Sequence, residues 1–205
     1  MQPETALIFG GASSVVGLIY LAWAVNLLTS LLGAVTLASY LFVYTPLKRV
    51  TWLNTAIGAI PGALPPLMGW TAARNGLTSE AWALFGILFF WQIPHFLAIA
   101  WLYREEYEKA GFVMLPSVDP TGWRTGRQAV SHTMGLLTAS LIPFLLHLAG
   151  PVYLMGALLL GLLFNACALR FSRQLTRGSA RQLFFASIVY LPLLLGLMVF
   201  DKLKY

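Results

Sequence analysis

Charges are so sparse and so unevenly spaced along this chain that their positions alone restrict the fold. Between Glu4 and Lys48 lie 43 residues without a formal charge. As helix that run would extend about 65 Å. A bilayer's hydrocarbon core is only ~30 Å thick, so the run must cross twice. Four more uncharged runs follow: Val50 to Ala73 with 24 residues, Ala81 to Tyr103 with 23, Gln128 to Leu169 with 42 and Gln182 to Phe200 with 19. They supply one, one, two and one further passes. Asn26 marks the turn inside the first run, and Gly150-Pro151 the turn inside the long later one. The expected architecture is all-α, a polytopic transmembrane helix bundle. Its spans fall at 5–24, 27–46, 51–73, 81–103, 128–149, 151–169 and 182–200, within a single domain over 1–205.

Composition agrees with that reading. There are 13 Lys or Arg and 7 Asp or Glu among 205 residues, against 59% hydrophobic side chains. A soluble domain carries about a quarter charged residues, so a wet-surfaced cytosolic enzyme and a disordered chain are both excluded. The net charge of +6 accompanies 14% aromatics and long apolar runs, which indicates contact with lipid rather than nucleic acid. One cysteine, Cys167, forms no disulfide framework and no Cys-based metal site. No basic n-region precedes the first apolar run, so no cleavable signal or transit peptide is visible.

Parity assigns sides, because each pass reverses the chain. Lys48, Arg49, Arg104, Lys109, Arg124, Arg127, Arg170, Arg173, Arg177 and Arg181 fall at one end, and only Arg74, Lys202 and Lys204 at the other. By the positive-inside rule the basic end is cytoplasmic, or matrix-facing in a mitochondrion. Four of the seven acids (Glu105, Glu106, Glu108 and Asp119) share that end, in the longest polar segment. The segment reads either as a solvated loop whose acids offset its arginines or as a carboxylate platform for Mg²⁺, which takes one or two protein carboxylates and completes its shell with water and phosphate oxygens. Tyr44-Thr45-Pro46-Leu47-Lys48-Arg49 faces it across the same surface. Cations opposite carboxylates are what a diphosphate requires.

Inside the fourth span stands Trp91-Gln92-Ile93-Pro94-His95-Phe96. Pro94 removes a helical hydrogen bond and is expected to kink the span. His95 is an intramembrane ionisable group, a marker of function, or else the partner of a carbonyl freed at the kink. If the helix runs on, Glu106 lies eleven residues beyond His95, ~16 Å along the same face. Gly58 and Gly62 read as close helix packing. Pro61, Pro65 and Pro66 in the same span imply a bent cavity wall.

These strings, with Gly62-Ala-Leu-Pro65-Pro66-Leu-Met-Gly69-Trp70 and Glu106-Tyr107-Glu-Lys-Ala-Gly111 followed by Met114-Leu115-Pro116, resemble the UbiA family of intramembrane prenyltransferases, in the branch that farnesylates protohaem IX. The resemblance runs in order along essentially the whole chain, and Trp-Gln-x-Pro-His-Phe is its most specific element. It implies a nine-helix bundle around a cavity open to lipid. It also implies transfer of farnesyl from farnesyl diphosphate to a vinyl group of haem B, with addition of water. Two acidic motifs would hold the diphosphate through Mg²⁺. The second matches Glu105, Glu106 and Tyr107, the implied catalytic and metal-binding residues. The family commonly has Asp where this chain has Glu106, with the same charge on a side chain one methylene shorter. Tyr44, Lys48 and Arg49 match diphosphate-side positions, and Arg104 joins them at the head of the acidic segment. His95, with Trp91, matches the position facing the porphyrin, and Trp91 or Trp101 could stabilise an allylic cation.

The first acidic motif has no counterpart, since no Asp precedes Asp119. Seven spans against nine implies that two helices and half of the metal site are missing, and that this chain is inactive by itself. Other readings remain open: a UbiA-type transferase acting on an aromatic or quinone precursor, or a non-catalytic haem-binding membrane protein in which His95 ligates iron. The implied partners are farnesyl diphosphate, haem B, the bilayer, and downstream haem A synthase or oxidase assembly proteins. The implied location is a bacterial cytoplasmic or mitochondrial inner membrane.

Overall fold

A computed structural model describes residues 2–203. Seven helical rods of 21–24 residues dominate the described chain: α1 (Pro3–Ala24), α2 (Leu27–Ala38) continued by a π-helical turn (Ser39–Tyr44) and a short α3 (Thr45–Leu47), α4 (Asn54–Arg74), α5 (Ser79–Leu102), α8 (Trp123–Leu145), α9 (Pro151–Gln174) and α10 (Arg177–Phe200). Two short helices, α6 (Arg104–Lys109) and α7 (Leu115–Val118), occupy the segment between α5 and α8. Five rods are long and apolar enough to cross a membrane: α1, α2 through α3, α5, α9 and α10. The other two are less apolar for visible reasons. α4 contains three prolines and a buried Asn54, and α8 opens with Arg124, Arg127 and Gln128.

The turns are built from the residues that announced them. Asn26 caps α2 by accepting from the Thr29 amide at 2.8 Å, and its own amide donates to the Thr71 carbonyl at 2.8 Å. One side chain therefore closes the turn and ties it to the end of α4. Gly150-Pro151 opens α9, where the Asp201 carboxylate accepts from the Tyr153 amide at 2.7 Å.

Loop contacts fix which ends lie together. The Val113 amide donates to the Lys48 carbonyl at 2.8 Å, the Asn54 amide group donates to the Val113 carbonyl at 2.7 Å, and the Arg177 guanidinium donates to the Leu102 carbonyl at 3.2 Å. The three basic loops thus meet at one end. At the opposite end the Gly150 amide donates to the Asp201 carbonyl at 2.9 Å.

The main core lies among α5, α8, α9 and α10, with Phe164, Phe171, Tyr153 and Tyr190 fully enclosed. Their phenols are satisfied at Ser140: its hydroxyl pairs with Tyr190 at 2.7 Å, and its carbonyl accepts from Tyr153 at 2.8 Å. Apolar burial supplies little drive between helices in lipid, so such interhelical bonds and close packing carry the association. α1 packs on α2 and buries none of its own residues. Leu7, Ile8, Phe9 and Trp23 on it are exposed, as suits a lipid-facing helix.

One expectation fails here. α5 does not run on to Glu106. Tyr103 leaves the helical region (φ −115°, ψ 29°), and a separate helix, α6, begins at Arg104. The cause is visible in the sequence, because the apolar run ends at Tyr103 and the charged segment that follows belongs at the interface. The 16 Å face shared by His95 and Glu106 therefore does not exist.

Candidate active site

Pro46 shapes the first wall of the site. It has no N–H to offer the carbonyl four residues back. The preceding turn widens instead, and both the amide and the hydroxyl of Thr45 go to the Tyr40 carbonyl, five residues back, the hydroxyl at 2.9 Å. Such π turns are frequent at functional sites because they re-aim side chains. Here Tyr40 and Tyr44 stand with ring centroids 5.1 Å apart, and the Lys48 ammonium lies over both, 4.4 Å from the Tyr44 ring and 5.7 Å from the Tyr40 ring.

These three residues line a cavity of about 270 Å³. Thr55, Gly58 and Gly62 of α4 form a second wall, Gln92 and Phe96 of α5 a third, and Tyr107, Phe112 and Met114 close the basic end. The cavity thus has five aromatic side chains in its walls, with one ammonium at its end and one carboxamide in its side.

Gly58 and Gly62 do more than let helix backbones approach. A Cβ on Gly58 would sit 2.5 Å from the Tyr44 ring, and one on Gly62 would overlap the Gln92 carboxamide oxygen. Gln92 is 6% exposed, and its NH₂ donates to the Ala59 carbonyl at 3.3 Å and the Leu88 carbonyl at 3.1 Å. With both hydrogens engaged, its oxygen is the group left for the cavity. The sequence alone assigns Gln92 no role. Its signal was a carboxamide in mid-span, four residues before Phe96 and so on the same helix face.

The Trp-Gln-Ile-Pro-His-Phe string is divided between faces. Trp91 and His95, four apart, contact α10, while Gln92 and Phe96 line the cavity. The His95 Nδ1 is 2.7 Å from the Ser187 hydroxyl, so its bond goes to a side chain of α10 rather than to a carbonyl freed at Pro94.

The short α6 divides the acidic segment in the same manner. Tyr107 lines the aromatic cavity. Glu105, Glu106 and Glu108 line a separate cavity of about 320 Å³ with Arg104, Arg177 and Trp101. The structure therefore brings Tyr44, Lys48 and Tyr107 together and sets Glu105, Glu106 and Arg104 in a neighbouring recess. Arg49 is exposed and Trp101 packs against Phe171 at 5.6 Å. The aromatic walls of the Lys48 cavity are Tyr40, Tyr44, Phe96, Tyr107 and Phe112 in place of Trp91 and Trp101.

Asp119, the fourth acid of the segment, is structural. Its carboxylate accepts from the Thr125 amide at 2.8 Å and the Thr125 hydroxyl at 2.9 Å, in the first turn of α8, and it is 4% exposed. Asp119→Ala should lower the unfolding free energy by about 1–3 kcal/mol through the orphaned donors. Thermal unfolding in detergent measures this, and diphosphate affinity of the folded fraction should not change.

The model of the UbiA prenyltransferase family matches residues 1–189. The chain belongs to the UbiA prenyltransferase family. It is a multi-pass membrane prenyltransferase. Among UbiA relatives it is 52% identical to a protoheme IX farnesyltransferase of Solibacter usitatus, over 96% of this chain and 68% of that protein. It is 47% identical to the protein of the same name from Koribacter versatilis, over 98% and 66%, and 39% identical to the human mitochondrial one, over 98% and 45%. The chain thus spans about two thirds of the length of these bacterial UbiA proteins. A solved structure titled "Structural and mechanistic insights into the biosynthesis of Digeranylgeranylglyceryl phosphate synthase in membranes" shares the fold, with TM-score 0.78 and 17% identity over 97% of this chain and 70% of that one.

Proposed function

We propose that this chain belongs to an enzyme that transfers a farnesyl group from farnesyl diphosphate to a vinyl group of haem B, forming haem O and releasing diphosphate. The observation that carries the reading is the aromatic cavity with a single ammonium, Lys48, held over Tyr40 and Tyr44 at its basic end. It suits a long apolar diphosphate ester whose charged head belongs at the membrane surface. The names of the relatives support haem B as the acceptor.

In the reaction the bond between farnesyl C1 and oxygen breaks, and its electron pair leaves with diphosphate. Lys48 stabilises the negative charge that develops there. The allylic cation left behind is flanked by the faces of Tyr40, Tyr44, Phe96, Tyr107 and Phe112, which attract positive charge and keep water out. The terminal vinyl carbon of haem B forms the new bond to C1. Water then adds to the inner vinyl carbon and loses a proton, which balances the product. Consecutive helical residues stand ~100° apart, so His95 and Gln92 differ by ~60° around an ideal helix.

Mg²⁺ is the cofactor implied by the fold family. Among the described residues no three His, Cys, Asp or Glu side chains converge. A cation needing one or two carboxylates plus water and phosphate oxygens still fits the exposed Glu105 and Glu106 beside Arg104. When bound, it would neutralise diphosphate oxygens as a Lewis acid. Glu105→Ala/Glu106→Ala should cut transfer by about 10²–10³-fold, as loss of a transition-state charge partner does. Haem extraction and chromatography read this out, and normal haem O formation by the double variant would remove the carboxylates from the account.

A further inference from the structure

Ser187 of α10 is fully buried and uses both of its oxygens on the two aromatic residues that the haem reading places nearest the acceptor. Its carbonyl accepts from the Trp91 indole N–H at 2.8 Å. Its hydroxyl has one proton, which goes to the Phe184 carbonyl at 2.5 Å, since a carbonyl can only accept. The same hydroxyl oxygen lies 2.7 Å from His95 Nδ1. With its proton already committed, Ser187 must accept there, so Nδ1 carries the imidazole hydrogen and Nε2 keeps a lone pair.

The ring is also held among aromatic neighbours. Trp91 stacks on it with centroids 4.8 Å apart and planes 18° apart, Phe184 stacks at 5.2 Å and 27°, and Phe96 meets it edge-on at 5.5 Å. Nε2 has no hydrogen-bond partner among the described residues. It is not sealed either, because the sealed, unpartnered side-chain atoms are Trp70 Nε1 and Ser117 Oγ. A histidine stacked against two aromatic rings, anchored through Nδ1–H and unbonded at Nε2 has the arrangement of a metal-ligating imidazole whose other nitrogen is held by a second group.

We propose that Ser187 is a positioning residue: it fixes His95 as the Nδ1–H tautomer and so presents Nε2 to the iron of the haem acceptor. This rests on the farnesyl-to-haem reading for the identity of the ligand, whereas the tautomer assignment rests on the hydrogen bonds alone. No proton transfer or covalent step is required of Ser187. It acts by keeping the wrong nitrogen from being bare.

The test has two arms on the full chain in nanodiscs. Ring-nitrogen NMR of protein labelled with [¹⁵N]histidine, which has three histidines to assign, reads the tautomer without haem. Haem B titration, followed in the Soret band, reads iron ligation. In the wild type His95 should carry its proton on Nδ1. Ser187→Ala should move population to the Nε2–H form and weaken haem binding by about 10–100-fold, the usual cost of losing the partner of a metal-bound histidine. Ser187→Thr, which keeps the hydroxyl, should restore both, and His95→Ala should abolish the ligand signal. An unchanged tautomer and affinity in Ser187→Ala would overturn the proposal. So would a Ser187→Thr protein as weak as Ser187→Ala with His95 still in the Nδ1–H form, the mark of a packing role. If the wild type shows the expected tautomer but takes up no haem, the haem reading fails and the iron-ligand half of the proposal falls with it.

Discussion

Lys48→Met is expected to reduce farnesyl transfer by about 10²–10³-fold, the scale for removing a preorganised charge partner from a low-dielectric site. The side chain keeps most of its length and its apolar stem, so the cavity stays filled and dry while the ammonium disappears. Lys48 is the one cation among the residues that line the aromatic cavity. Its position 4.4 Å from the Tyr44 ring centroid also ties it to the wall rather than to bulk water. Lys48→Arg should recover part of the loss, because the charge returns on a planar group that stacks on aromatic faces but holds its donors differently. Initial rates at saturating farnesyl diphosphate separate the two effects. A Lys48→Met enzyme with unchanged kcat would show that the leaving group is stabilised elsewhere.

Gly62→Val is the second large effect, with a loss of about 10²-fold or more in transfer, since misplacing groups at a positioned site by an ångström costs that much. Even the first added carbon overlaps the Gln92 carboxamide oxygen. That group gives way only by abandoning its bonds to Ala59 and Leu88 or by moving into the cavity. Gly69, in the same helix, has nothing within 4 Å of the corresponding point, so Gly69→Ala should leave activity intact. A double-mutant cycle isolates the cause. Gly62→Ala should destabilise the chain by about 1–3 kcal/mol, the cost of unpaired buried polar groups, and by measurably less in a Gln92→Ala background. Strict additivity would mean that the two positions do not meet.

The helix bundle was legible because a bilayer makes charge position decisive. A residue such as Arg74 or Arg104 cannot sit in mid-span, so uncharged runs locate the helices, although their ends differ by up to five residues: the run read as 128–149 is helical over Trp123–Leu145 and the one read as 151–169 over Pro151–Gln174. The span read as 81–103 is Ser79–Leu102, and the one read as 182–200 is the outer part of Arg177–Phe200. Asn26 and Gly150-Pro151 were legible as turns because their capping and backbone chemistry is local. The site was legible only as a set of residues, not as an arrangement. Glu106 and Tyr107 are adjacent in sequence, yet a helical step of ~100° sends them to different recesses. Trp91 with His95 and Gln92 with Phe96 separate for the same reason. Tyr103, which breaks α5, carries no breaker signal of its own. Ser187 lay 92 residues from His95 and gave no pattern that could join them. Asp119 was counted with the acidic cluster because a structural cap to Thr125 and a metal ligand look alike until the loop is folded.

The most direct measurement is the haem content of cells that lack their own haem-farnesylating activity and express the enzyme containing this chain in the membrane. Extracted haems, separated and weighed by mass spectrometry, should include a species heavier than haem B by one farnesyl group and one water, and that species should vanish with Lys48→Met. An unchanged haem B pool with the chain inserted, or a farnesyl group found instead on an aromatic or quinone acceptor, would contradict the account.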